Sequence, residues 1–249
     1  MLQGKNAVIH GGGGAIGGAV ARAFAREGAN VFLAGRTLAR LDQVAADISG
    51  AGGWAETAEV DALDERGVNE HADAVAAKAG GIDIAVNAVG ILHVQGTPFA
   101  ELSFEDYAHP ITAYTRTNFL TAKAAARHMV THGSGVILTL STPGSRMSGQ
   151  GFLGYGATCG AIETFSRILA GELGPNGIRV ICLRPDAIPE AVATSHTAKS
   201  SAASPNEPTP PSRPCWPNAR APPRHWETSR HSPKSRTLLP SWPPMAPAR

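Results

Sequence analysis

Residues 7–36 read AVIHGGGGAIGGAVARAFAREGANVFLAGR, and the reading of this stretch decides the fold. An apolar run ends at His10, a row of glycines follows, an alanine-rich pattern of helical period comes next, and a second apolar run closes at Gly35 and Arg36. Strand, glycine turn, helix and strand in this order aim backbone N–H groups and a helix N-terminus at an anion. Two registers fit the glycines. Gly12, Gly14 and Gly17 satisfy G-x-G-x-x-G, whereas Gly11 and Gly17 fit a longer-spaced loop with His10 before it, Ala15 at its middle small position and Ile16 between.

Working outward, short apolar runs that stop at glycine, asparagine or polar turns alternate with longer helical patterns, the signature of βαβ units and a parallel sheet. The pattern predicts strands near 6–10, 30–34, 54–60, 82–87, 135–141 and 178–184. It predicts helices near 15–28, 37–49, 64–79, 110–132 and 153–174, with a short one near 99–107. The fold class is therefore α/β: a Rossmann-type doubly wound parallel sheet in three layers, one domain over residues 1–199, with a seventh strand missing. In such a fold the end of the second strand reads the ribose: an acidic residue there suits NAD(H), whereas Arg36 suits the 2′-phosphate of NADP(H). NADP(H) is the expected cofactor, with NAD(H) as the alternative.

Composition changes at residue 200. Residues 1–199 hold 15 Lys/Arg against 18 Asp/Glu, whereas residues 200–249 hold seven against two, together with 13 of the 19 prolines and no glycine, valine or isoleucine. A proline-rich basic segment of this kind reads as a disordered tail, with PTPPSRP as a polyproline-II ligand; charge alone supplies only unspecific attraction to nucleic acid, so no nucleic-acid partner is expected. The tail also reads as a shifted reading frame. GC-rich codons for SPKSRTLLPSWPP (residues 232–244) spell LAEVADTAAFLAS when displaced by one base, an amphipathic, proline-poor helix; the nucleotide sequence tests this. The three cysteines, Cys159, Cys182 and Cys215, form no metal-binding pair and no even disulfide set, which favours a reducing cytoplasm and no metal. No apolar run approaches the ~20 residues of a membrane span, so no membrane partner is expected.

With these motifs in place, the chain resembles the short-chain dehydrogenase/reductase family over residues 1 to about 190. VDAL puts Asp61 where the family holds the adenine ring, VNAVG puts Asn87 and Gly90 at its N-N-A-G strand end, and RTNFLTAKAAARHM puts Asn118 at its helix asparagine. The resemblance implies hydride transfer between a nicotinamide cofactor and a small carbonyl or alcohol substrate. It makes Tyr155 the proton donor, Thr142 (with Ser141 beside it) the hydroxyl that positions the carbonyl, and Asn118 the residue that orders a water. The family lysine four residues after the tyrosine is Cys159 here, a thiol that neither lowers the tyrosine pKa nor holds ribose hydroxyls; it reads as a small buried hydrophobe. Lys123 is the one substitute within the same motif region, and Asp186 stands where the family carries a glycine after its sixth strand. The alternative to a working oxidoreductase is therefore a weak or inactive nucleotide-binding protein of the same fold, a pseudoenzyme or a damaged-gene product. The resemblance also implies a homo-oligomer, against which the altered C-terminal segment argues.

Overall fold

The strand that opens the chain, β1 (Asn6–His10), is buried at all five positions. A strand of that kind needs cover on both faces and a neighbour on both edges, as in a doubly wound sheet. β2 (Asn30–Gly35) lies on one side of it, from Asn6 opposite Asn30 to His10 opposite Ala34. β4 (Ile84–Asn87) lies on the other, from Ala7 opposite Ile84 to His10 opposite Asn87. β3 (Trp54–Glu59) continues beyond β2, and β5 (Gly135–Leu140) and β6 (Ile178–Leu183) continue beyond β4, every pair parallel. Among the described residues the order is β3-β2-β1-β4-β5-β6, with the winding reversing between β1 and β4, so the doubly wound α/β expectation holds. This computed structural model describes residues 1–186 together with Ile188 and Ala191. The expectations for the tail, for a boundary at residue 199 and for a seventh strand lie outside the described residues.

Side-chain alternation along the strands separates two cores. On one face Ile9, Leu33 and Val86 meet α1 (Ala15–Arg26) and α2 (Leu38–Gly50) through Ala21, Leu41, Val44 and Ile48. On the other, Val8, Phe32 and Ile137 meet α3 (Glu65–Ala79), α4 (Phe104–His132) and α5 (Leu153–Leu173) through Val68, Leu120, Met129 and Phe165. Leu33, Leu41 and Ile48 are almost wholly buried, each worth about 1.5–3 kcal/mol relative to exposure.

The helix ends follow from their caps. Asp64 accepts a hydrogen bond from the Arg66 amide at the start of α3, and Gly80 closes it at φ 81°. Ser103 accepts from the Asp106 amide at the start of α4, and Gly133 closes it at φ 64°. A cap of this kind contributes about 1 kcal/mol.

One expectation about the elements is corrected. The separate short helix near 99–107 and the helix beginning at 110 are one helix of 29 residues, Phe104–His132, with Pro110 inside it. Proline there removes one ladder hydrogen bond. Its buried ring fills the close approach of α5, where a Cβ on Gly154 would stand 3.2 Å from the Pro110 Cγ.

At the far edge the cover thins. Along β6 burial alternates, and Ile181 and Leu183 are each 40% exposed, so among the described residues that edge lacks the two-sided cover of β1.

Candidate active site

The expected site residues gather at the carboxyl ends of the strands, the edge at which doubly wound sheets bind ligands. Gly11 follows β1, Arg36 follows β2, Asp61 lies beyond β3, Asn87 ends β4 with Gly90 just past it, and Thr142 lies beyond β5.

Sterics choose between the two glycine registers. Gly11 adopts φ 79° and its amide donates to the Ala34 carbonyl at 2.8 Å. A Cβ on Gly11 would overlap the Ala88 carbonyl, and one on Gly17 would overlap the Gly11 carbonyl. Gly14 is less constrained, its Cβ position 3.2 Å from that same oxygen. Gly11 and Gly17 are thus required by backbone contact, which favours the longer-spaced loop. Gly14 caps α1, whose first turn carries no acidic side chain, and the amides of Ala15, Ile16 and Gly17 have no acceptor within the helix. Together with the partial positive charge of a helix N-terminus, these amides fit a dinucleotide diphosphate.

Around this cradle, Arg36 is exposed at the end of β2, and Asp61 accepts a 2.9 Å hydrogen bond from the Leu63 amide, which fixes its carboxylate. Asn87 is buried, donating to Thr121 Oγ1 at 3.1 Å and accepting from the Val89 amide at 3.1 Å, so it braces the turn that leads to Gly90.

Tyr155 lies in the first turn of α5 with Cys159 one turn further on, and Thr142 Oγ1 lies 3.2 Å from Cys159 Sγ. Of the two neighbouring hydroxyls, therefore, Thr142 faces the stretch of α5 that carries Tyr155 and Cys159. Ser141 turns the other way and donates to Glu163 Oε1 at 2.9 Å, where Ser145 Oγ also donates at 2.6 Å and Arg184 Nε lies at 3.2 Å. Glu163, on α5, thereby ties down both flanks of Thr142, and these donors with Arg184 outweigh its own desolvation and keep its carboxyl below the usual range. Burial drives the Tyr155 phenol upward, and the nearby Tyr114 and Cys159 add to the rise, while the Thr142 hydrogen bond opposes it. Asn118 is buried on α4; its amide donates to the Tyr114 carbonyl at 2.9 Å, and its Oδ1 has no partner among the described residues. Lys123 does not reach the tyrosine: its ammonium pairs with Glu65 at 3.2 Å on α3. Asp186 follows the end of β6 and is exposed.

Known proteins share this fold. Residues 5–202 match the family described as short chain dehydrogenase. The chain belongs to that family. It is 30% identical over 187 residues to the D-threitol dehydrogenase of Mycolicibacterium smegmatis, covering 75% of this chain and 71% of the relative. The solved structure of an NAD+-bound xylitol dehydrogenase superposes with a TM-score of 0.71 at 28% identity, over 74% of this chain and 71% of the other. A metagenomic short-chain oxidoreductase in complex with NADP gives 0.68 at 27% identity, over 75% and 84%. As a short-chain dehydrogenase, the chain is an oxidoreductase with a nucleotide-binding Rossmann fold, and no helix among the described residues is long and apolar enough to cross a membrane.

Cys159 is buried, as expected of a small apolar side chain, with its Sγ 3.2 Å from Thr142 Oγ1. Sequence reasoning missed His93 and Tyr114. The His93 ring stacks on Tyr155 with centroids 4.6 Å apart, and Tyr114 lies 6.0 Å from Tyr155. The signal for Tyr114 was present: it precedes Asn118 by one helical turn, which puts both on one face of α4. For His93, in an irregular segment after β4, periodicity offers nothing.

Proposed function

We propose that this chain reduces a small carbonyl compound with NADP(H), or oxidises the corresponding alcohol. Tyr155 is the proton donor, Thr142 holds the substrate oxygen, and the Asn118 amide group orders a water. The observation that carries the reading is the placing of Thr142, 3.2 Å from Cys159 Sγ, beside the turn of α5 that bears Tyr155, at the same edge of the sheet as the glycine loop. Arg36 favours NADP(H) through a charge-assisted contact with the 2′-phosphate, with NAD(H) as the weaker alternative; relatives with either coenzyme are known. Gly11, Gly14, Ala15, Ile16 and Gly17 would hold the diphosphate, Asp61 the adenine, and Asn87 and Gly90 the floor beneath the nicotinamide side.

The coenzyme, when bound, supplies the hydride. The protein orients the carbonyl: Thr142 donates a hydrogen bond to its oxygen, and Tyr155 gives up the Oη proton as negative charge builds there. Reduction suits this site better than oxidation, because the upward-shifted Tyr155 stays protonated at neutral pH and cannot serve as a base. Asn118 Oδ1, buried and without a partner among the described residues, has the chemistry to accept from a water molecule.

The departure at Cys159 supports a second reading, a nucleotide-binding protein with little turnover, because Lys123 pairs with Glu65 and no other ammonium among the described residues stands in for the one the family uses to activate tyrosine. Titration of tryptophan fluorescence with NADPH, followed by a carbonyl panel read at 340 nm, separates the two. NADPH binding with consumption supports the reductase, binding without consumption supports the second reading, and no binding sinks both.

A further inference from the structure

His93 is buried against Tyr155 and takes no part in the chemistry so far described. Its placement is heavily constrained. The imidazole stacks on the phenol with ring centroids 4.6 Å apart and planes 18° from parallel, and Tyr114 meets it edge-on at 6.0 Å. Nδ1 lies 2.7 Å from the Ile91 carbonyl, which can only accept, so Nδ1 carries the proton. Nε2 is left with its lone pair, to which the Gln95 amide donates at 2.7 Å. Ile91 is in turn gripped by Tyr114, whose hydroxyl accepts from the Ile91 amide at 3.1 Å. Both ring nitrogens are tethered, and the ring face is held on Tyr155.

We propose that His93 is the cationic partner of Tyr155 in this chain: protonated at Nε2, it lays a positive charge along the phenol and stabilises the phenolate that forms as the proton leaves. This rests on the reading of Tyr155 as proton donor. In the step, the Tyr155 Oη–H bond breaks and an O–H bond forms on the substrate oxygen. The pair of electrons left on Oη is neutralised later by a proton from water, and His93 keeps its own proton throughout. Protonation at Nε2 requires the Gln95 side chain to present its oxygen instead of its amide, a rotation about one terminal bond.

The groups that face His93 set the pH at which the charge appears. From α4 come Tyr114 and His109, from α5 Tyr155 with Cys159 behind it, and from its own segment the Ile91 carbonyl and Gln95. Burial holds the imidazole below its usual range and His109 adds to that, while the Ile91 hydrogen bond opposes them, so the charge enters on the acid side of neutrality. An opposite charge at this separation moves a pKa by about 1–3 units, which through partial proton transfer translates into roughly tenfold in rate.

Two measurements test this. The chain has three tyrosines, so ring-labelled ¹³C-tyrosine gives three signals, with Tyr155→Phe assigning the one of interest. In the otherwise unaltered protein the Tyr155 signal is expected to shift with a midpoint below 6.5, in step with the His93 imidazole signal, and to stay constant in His93→Phe. A Tyr155 signal that does not move between pH 8 and 5 overturns the inference, whatever the activity. In NADPH-dependent reduction, kcat/KM is expected to rise about tenfold over the His93 titration and to be flat in His93→Phe, which keeps a stacked ring without charge. Superimposable profiles overturn the inference. A coupled titration in a protein that consumes no NADPH leaves the pairing standing and removes the reductase reading instead.

Discussion

Around Gly17 the crevice is made of backbone; around Tyr155 it is made of side chains. In the first region the decisive contacts run between main-chain atoms, the Gly11 carbonyl against the start of α1 and the Ala88 carbonyl against Gly11, and only missing Cβ atoms allow them. The region therefore requires glycine at Gly11 and Gly17. In the second, the contacts run between separable side chains: the Cys159 thiol lies 3.2 Å from Thr142 Oγ1, and an imidazole from another segment stacks on the tyrosine. The contrast teaches that backbone geometry restricts sequence at single positions, whereas side-chain electrostatics can be redistributed in space.

The largest expected effect sharpens the side-chain half. Tyr155→Phe removes the proton donor and is expected to lower kcat/KM for carbonyl reduction by about 10²- to 10⁴-fold, with NADPH affinity nearly unchanged in fluorescence titration. If reduction persists within threefold, proton donation by Tyr155 is wrong. Gly17→Val attacks the backbone half: the new side chain overlaps the Gly11 carbonyl, and NADPH affinity by calorimetry is expected to fall about a hundredfold or more, the loss of several charge-assisted amide contacts. Wild-type affinity in that variant would mean the diphosphate lies elsewhere.

A third test reaches beneath the cradle. His10 sits buried with both ring nitrogens unpartnered among the described residues, its ring centroid 5.9 Å from that of His71, and burial followed by His71 pushes its pKa down to about 3. The unfolded chain binds a proton there near pH 6.5, whereas the folded one does not, so stability is complete above 6.5 and is lost as pH falls toward 3. At pH 5 the loss from His10 is about 2 kcal/mol, and urea midpoints at pH 7.5 and 5 measure it. His10→Thr is expected to flatten that dependence; an equally steep slope in the variant would place its origin in other groups.

Cys159→Lys restores an ammonium one helical turn from Tyr155 and is expected to raise NADPH-dependent reduction more than tenfold, unless His93 already fills the electrostatic role, in which case the gain shrinks in acid. The smallest effect belongs to Arg36→Ala, expected to weaken NADPH by about tenfold while leaving NADH unchanged, since an exposed guanidinium acts on the 2′-phosphate alone. Equal losses for both coenzymes would show that Arg36 does not choose between them.

Most of the fold was legible because its signals are local. Apolar runs stopped by turn residues gave all six described strands to within about two residues at their ends, and the glycine loop, Asn87 and Asn118 lie where motif spacing puts them. The break proposed before Pro110 failed for a physical reason: proline penalises a helix in isolation, but here its ring packs against Gly154, a contact that no local pattern reveals. In the site, neighbouring Ser141 and Thr142 carry similar hydroxyls, and only the fold shows that one serves Glu163 and the other Tyr155. His93 was invisible because its meaning depends on a ring sixty-two positions later in the chain.

Tyr114 gives the segment after β4 something it has no strand neighbour to provide. One phenol hydroxyl takes the Ile91 amide and lies 3.4 Å from the Ile91 carbonyl, so a stretch without ladder partners acquires a two-point clamp from a helix. The orientation of the aromatic wall at the reacting centre is thus inherited from a residue whose polar end is spent on main chain, and deleting a single oxygen atom there would loosen a surface it never builds.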